Sequence, residues 1–309
     1  MKSETLVIIN RQGGGAGRDV TRALAVLRDA GLKPQLVRPD DPVQISEVIR
    51  ERGPDSARIL IGGGDGTMLH SAQALLDAGR PVGLLPMGTA NDLARTLGIP
   101  ADLAEAAGLI VRGRTQRIDL GLVNGRPYFN VASMGFSANV ARHHTGERKR
   151  RLKLLSYPVS WLDAQRDTKP FRIHMTDRDG KTKSTRTTLF AIGNGVFYGG
   201  GMRIVEDAAI DDGNLDVFYV RPLGPLGMLK VLPMLRIGAI RHKRDIRTHR
   251  VHWLKVVAEP EQQINVDGEL VESTPAVFDI LPRALEFHVP DPTWSMGTAG
   301  KAAREAGWT

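Results

Sequence analysis

The chain predicts an α/β N-terminal domain built on a doubly wound parallel sheet, followed by a mostly antiparallel, β-rich C-terminal domain. Three observations predict it. Residues 1–113 alternate short apolar strand runs with helical runs, and residues 114–290 carry strand runs at hairpin spacing with few helices. The length of 309 residues also exceeds one small module. The stretch 291–309, rich in Gly, Ala and charge, is expected to be a loose tail.

The first strand covers 6–9 and leads to a glycine loop at 13–17 and an amphipathic helix over 18–30. Strand 34–37, helix 43–52 and strand 59–61 follow. The glycine run Gly62-Gly63-Gly64-Asp65-Gly66-Thr67 is expected as a loop, with a helix over 68–78 behind it. Strand 82–85 then feeds Pro86-Met87-Gly88-Thr89-Ala90-Asn91-Asp92 and a helix through Leu97. All three loops follow strands at their carboxyl ends, where open α/β sheets bind ligands. Such a glycine run is also an ordinary tight turn; its place beside two further loops gives it weight.

Beyond 113, Asn124-Gly125 marks a hairpin turn between strands 118–123 and 127–131. Further strands are expected at 171–176, 187–192, 215–220, 251–257, 263–266, 276–281 and 285–289, with helices over 153–165 and 226–236.

The absence of cysteine excludes disulfides, thiolate metal sites and cysteine nucleophiles, and suits a reducing cytoplasm. No apolar run approaches the ~20 residues of a membrane span. The net charge of +8 calls for anionic partners: nucleotide, nucleic acid or an anionic membrane surface. Nucleic acid is set aside, because four Trp and four Tyr occur without a recognisable binding motif. Basic runs at 148–153 and 241–250 are candidate membrane-docking clusters or solvated basic faces.

Backbone N–H groups of a glycine loop ahead of a helix favour an anion, and Asp65 among them requires a cation between it and a phosphate. In the second half, Asp119, the run Asp211-Asp212-Gly213-Asn214 and the pair Asp267-Gly268-Glu269 offer oxygen donors of the kind Mg²⁺ or Ca²⁺ takes. The same Asp-Gly dipeptides are common β-turns. A turn and a site are compatible.

Taken in order, Gly63-Gly64-Asp65-Gly66-Thr67, Gly88-Thr89-Ala90-Asn91-Asp92, Asp211-Asp212-Gly213 and Asp267-Gly268-Glu269 resemble the bacterial diacylglycerol-kinase-like lipid kinases, over nearly the whole chain. The resemblance implies an ATP-dependent lipid kinase using Mg²⁺, peripheral to a membrane, with a homodimer as the candidate assembly. It implies nucleotide binding by Asn10, Gly63, Gly64, Asp65, Gly66, Thr67 and Thr89, with Asp65 helping to place the catalytic Mg²⁺. Asp267 is the implied general base with Glu269 supporting it, and Asp119 is implied to orient metal or substrate. A structural Mg²⁺ maps to the Asp212 side chain with the carbonyls of Ala209 and Asn214. The chain departs from the family at Arg11, Arg38 and Glu206, which bears on nucleotide contacts and on the metal turn. The glycine-aspartate motif alone also fits NAD kinases, which act on a soluble nucleotide. A nucleotide-binding regulator without turnover is the alternative from another class.

Overall fold

The structure, a computed structural model, describes residues 4–11, 19–143, 168–203, 205, 207–223 and 246–290. The loop 13–17, the helices expected at 153–165 and 226–236, the basic residues 148–153 and 241–244, Glu206 and the segment 291–309 lie outside them.

The N-terminal half runs β1 (Glu4–Ile9), α1 (Thr21–Asp29), β2 (Lys33–Val37), α2 (Pro42–Arg52), β3 (Arg58–Gly63), α3 (Asp65–Ala78), β4 (Val82–Pro86), α4 (Asp92–Thr96) and α5 (Leu103–Val111). The four strands pair in parallel in the order β2-β1-β3-β4. Local chemistry starts and stops the helices. Asp41 caps α2 by accepting from the Gln44 amide, with Pro42 at its first position, and Gly79 ends α3 in the left-handed conformation at φ 59°.

The C-terminal half runs β5 (Thr115–Val123), β6 (Arg126–Tyr128), β7 (Val131–Gly135), α6 (Phe136–His143), β8 (Phe171–Thr176), β9 (Thr182–Thr187) and β10 (Leu189–Gly193). It continues with β11 (Phe197–Tyr198), β12 (Met202–Arg203), β13 (Leu215–Val220), β14 (Ile246–Val251), β15 (Trp253–Glu259), β16 (Gln263–Val266), β17 (Glu269–Ser273) and β18 (Ala276–His288). Six of these strands form an antiparallel sheet in the order β14-β13-β10-β7-β16-β17. β18, β15, β8 and β9 extend the first sheet, with β5 and β6 branching from β18, and β11 and β12 form a separate two-stranded ribbon.

Two expected strands, 276–281 and 285–289, are therefore one. β18 bulges between Leu281 and Leu285, pairs antiparallel with β5 on both sides of the bulge, and sets Phe287 beside Val82 of β4. The expected strand 187–192 is instead two, because the chain changes sheets at Thr188. The Thr187 hydroxyl bridges that change by donating to the carbonyls of Leu189 and Val220.

One apolar cluster runs from Leu6 and Ile61 through Phe287 and Phe129 to Phe197 and Phe218, so it underlies both halves. A second, with Met134, Phe190, Val256 and Phe278, fills the space between the two sheets of the C-terminal half.

Candidate active site

β3 continues through Gly63, and α3 starts at Asp65 rather than at Met68. The run expected as a loop is thus a strand end and the first turn of a helix. The first intrahelical bond is Met68 N–H to the Gly64 carbonyl, at 3.1 Å. The amides of Asp65, Gly66 and Thr67 stand in the turn whose N–H groups lack intrahelical acceptors, the feature that makes a helix start attractive to anions. Thr67 is tied to the first strand: its hydroxyl accepts from the Asn10 side-chain amide at 2.8 Å, and both residues are buried.

Two glycines are needed here for protein packing. Gly64 and Gly88 press the β3–α3 and β4–α4 connections together, and a Cβ built on Gly88 would lie 2.5 Å from the Gly64 Cα and 2.7 Å from the Asn91 Oδ1. The Asn91 side chain closes the second connection by accepting from the Gly88 N–H and donating to the Gly88 carbonyl, each at 2.8 Å. A Gly88→Ala variant is expected to lose about 1–3 kcal/mol, since backbone rather than a side-chain tip must move; urea unfolding measures it. Gly66 differs, facing the Glu269 Oε1 3.3 Å from where a Cβ would stand. The helix start and the acidic turn between β16 and β17 therefore meet. Thr89 lies exposed on the connection before α4.

Asp267 and Gly268 form the two-residue turn of the β16–β17 hairpin, with φ 46° and 99°. That conformation is open to Asp and Gly and orients the Asp267 carboxylate inward. Its oxygens accept the N–H groups of Phe129 (2.8 Å), Asn130 (2.9 Å) and Val131 (2.8 Å). Burial pushes Asp267 up to about 7, against the pull of those amides, and the Asp65 charge adds to the rise. Glu269, at the start of β17, is exposed.

Asp65 and Asp92 complete a group of three acids whose carboxyls point inward, Asp92 buried and Asp65 and Asp267 half-buried. The Asp65 carboxyl packs inside while the residue keeps some surface; it accepts the Leu93 N–H at 3.0 Å, and burial raises its pKa. Asp92, at the start of α4, accepts the amides of Gly200 (2.9 Å) and Gly201 (2.8 Å). Those donors come from the left-handed run Gly199-Gly200-Gly201, at φ 59°, 86° and 102°, in the β11–β12 hairpin. Burial first, and then the Asp65 charge, push Asp92 up to about 7; Arg95 partly offsets this. Asp92 was legible only as part of a motif. The runs Gly199-Gly200-Gly201 and Phe129-Asn130-Val131 also stand out in the sequence as matches to the family, but their pairing with Asp92 and Asp267 had no local signal.

These acids make a pH prediction. Asp92 and Asp267 near 7 and Asp216 near 6 hold protons in the folded chain that they release when unfolded, where 3.8 is the reference. Between roughly pH 4 and 7 the folded state therefore binds more protons, and stability falls as pH rises. His288, pushed down to about 4 by burial, acts in the opposite sense between 4 and 6.5. Above about pH 6.5 the acids act alone, so the melting temperature is expected to drop from pH 6.5 to 8, with a shallower slope in Asp92→Asn.

Among the described residues no cluster of three or more His, Cys, Asp or Glu is arranged to hold a metal ion. The inward acids still fit a hard cation of the kind held by one or two carboxylates and completed by phosphate oxygens. Asp119 stands apart from them. Its carboxylate accepts the amides of Gly213 and Arg283, each at 2.7 Å, and so ties the 211–214 turn to the bulge of β18. In that turn Asp212 is exposed and accepts the Asn214 N–H at 2.9 Å, a turn closed on its own hydrogen bonds, with the Ala209 carbonyl at its entry. Arg11 pairs with Asp40 at 3.1 Å on the surface, and Arg38 is exposed. Arg250, exposed on β14, is engaged by Asp216 (3.1 Å) and Asp207 (3.4 Å), and Arg247 on the same strand is also exposed.

A model of the diacylglycerol kinase catalytic domain matches residues 4–123, and one of the YegS C-terminal NAD kinase beta sandwich-like domain matches residues 130–289. A Pseudomonas aeruginosa protein (strain UCBPP-PA14) named "Probable lipid kinase YegS-like" is 33% identical over 296 residues, 94% of this chain and 95% of its own. The crystal structure of a diacylglycerol kinase from Bacillus anthracis str. Sterne superposes with a TM-score of 0.72 at 22% identity, covering 94% of this chain and 97% of that one. A second chain from the same organism reaches a TM-score of 0.78 at 23% identity, covering 94% and 98%. The likeness to these two structures is one of fold.

Proposed function

Because the chain belongs to the diacylglycerol kinase catalytic-domain family, with a YegS-type C-terminal domain, and is a kinase, we propose that it transfers the γ-phosphate of ATP to a lipid hydroxyl. One observation carries the reading: the first turn of α3 and the Asp267–Glu269 turn meet, with Gly66 facing Glu269 and the Asp65 charge acting on Asp267. A set of N–H donors for an anion and a carboxylate that can accept a proton stand at one place.

In this reading the amides of Asp65, Gly66 and Thr67 hold the nucleotide phosphates, with Asn10, Gly63, Gly64 and Thr89 shaping the surround. Asp267 takes the proton of the attacking lipid hydroxyl. A carboxyl near 7 is well matched to that task, since a base works best with a pKa close to the operating pH. Phe129, Asn130 and Val131 fix its orientation through their amides, and Glu269 adds negative charge on the acceptor side. Mg²⁺, when bound at Asp65 with the phosphates, supplies charge neutralisation for the transfer. A structural Mg²⁺ on Asp212 with the carbonyls of Ala209 and Asn214 belongs to the same proposal, as does work at an anionic membrane surface.

The test is purified protein with γ-labelled ATP, Mg²⁺ and a total lipid extract, alongside NAD as a soluble acceptor. Label entering the organic phase supports the reading. Label on NAD alone, or ATP binding without transfer, overturns it.

A further inference from the structure

A recess of about 300 Å³ opens where β5 meets the bulge of β18, lined by Gln116, Arg117, Asp211 and Arg283. It shares no residue with the three-acid site. We propose that this recess binds a phosphate-bearing anion that retains a proton, such as hydrogen phosphate or a phosphomonoester.

The two arginines supply the charge. Arg283 sits in the left-handed conformation at φ 50°, and its amide is held by Asp119 at 2.7 Å, so the bulge that presents it is fixed. The Arg117 guanidinium donates to the Arg283 backbone carbonyl at 3.3 Å, and both residues line the recess. Both residues are exposed, and among the described residues neither guanidinium pairs with a carboxylate. Two planar forks at one opening suit an oxyanion better than one point charge does.

Asp211 sets the selectivity. One of its oxygens accepts the Gln116 side-chain amide, which holds the carboxyl in the lining. A carboxylate beside an oxyanion repels it unless the oxyanion carries a proton to donate. Inorganic phosphate keeps a P–OH in both of its neutral-pH forms, and a phosphomonoester keeps one as its monoanion, the form that dominates below a second pKa of about 6; sulfate has none. The same Asp that makes the recess look unsuited to anions thus chooses among them.

Because Asp119 accepts the Gly213 amide with its other oxygen, an occupied recess also braces the 211–214 turn. This proposal does not rest on the lipid-kinase reading.

The test is isothermal titration of the full chain with inorganic phosphate and with sulfate at matched ionic strength. Companion titrations use Arg117→Gln/Arg283→Asn, in which Asn tolerates the left-handed position, and Asp211→Asn. The expected result is phosphate binding at least about tenfold tighter than sulfate, weakened about tenfold or more in the double variant, with Asp211→Asn losing the preference. Phosphate binding unchanged in the double variant, or no binding of phosphate or phosphomonoester by the wild type, overturns the proposal. Vesicles of phosphatidic acid against phosphatidylcholine identify the source. Arginine-dependent capture of phosphatidic acid assigns the anion to a lipid headgroup, and binding of free phosphate alone assigns it to a soluble compound. Thermal unfolding of each variant shows that it is folded.

Discussion

Asp267→Asn is expected to reduce phosphoryl transfer by about 10²–10⁴-fold, the range typical of a lost general base. It is also expected to weaken the fold by about 1–3 kcal/mol. The second effect follows from the donors around the side chain. Asn130 and Val131 share one carboxylate oxygen, and Phe129 donates to the other at 2.8 Å. An asparagine keeps one acceptor, so its amide group faces the Phe129 N–H donor to donor, and one buried amide goes unsatisfied. Glu269→Gln separates chemistry from stability, because Glu269 is exposed and its loss is expected to lower turnover with little change in unfolding. The decisive measurement is single-turnover transfer at saturating ATP, with unfolding curves for both variants. If folded Asp267→Asn transfers phosphate at the wild-type rate, the base is another group.

Phe287→Ala is expected to cost about 3–5 kcal/mol, the loss typical of emptying a phenylalanine site in a packed core. Phe287 is fully buried, pairs across β18 and β4 with Val82, and packs edge-on against Phe129 with ring centroids 6.1 Å apart. Phe129 is also the residue whose amide holds Asp267. The cavity therefore opens beneath the acidic turn, and turnover is expected to fall along with the urea midpoint. A variant with wild-type stability would mean that the neighbouring side chains collapse into the space.

Much of this was legible from local pattern. Alternation of strand and helix marked the parallel sheet, and Asn124-Gly125 forms a hairpin turn with φ 49° and 81°. The Asp267-Gly268 dipeptide marked a turn and a candidate oxygen donor, and the structure shows that the same backbone conformation turns the carboxylate inward. The helix α5 was missed although its signal was present. Asp102 caps it by accepting the amides of Ala104 and Glu105, with an acid at the third helical position.

Other features had no local signal. The sheet change at Thr188 sits within an unbroken β-branched and apolar run. Pro282 and Arg283 divide β18 in sequence, yet its register resumes beyond the bulge. Asp92 finds its glycine donors 108 residues away, and a contact at that separation is set by the assembled sheets rather than by neighbouring residues.

The position of β18 has a consequence for the making of the protein. On the ribosome the first 113 residues emerge early, yet the outer edge of β4 finds its partner only when residue 287 has been made. Until then a buried-type strand, Val82-Gly83-Leu84-Leu85-Pro86, presents an open hydrogen-bonding edge to its surroundings. The N-terminal half therefore waits as an unfinished sheet through most of translation, exposed to pairing with other nascent chains. Any truncation that removes residues 276–288 leaves that edge open permanently, and such a fragment would enter the cell as an aggregation-prone chain rather than a smaller kinase.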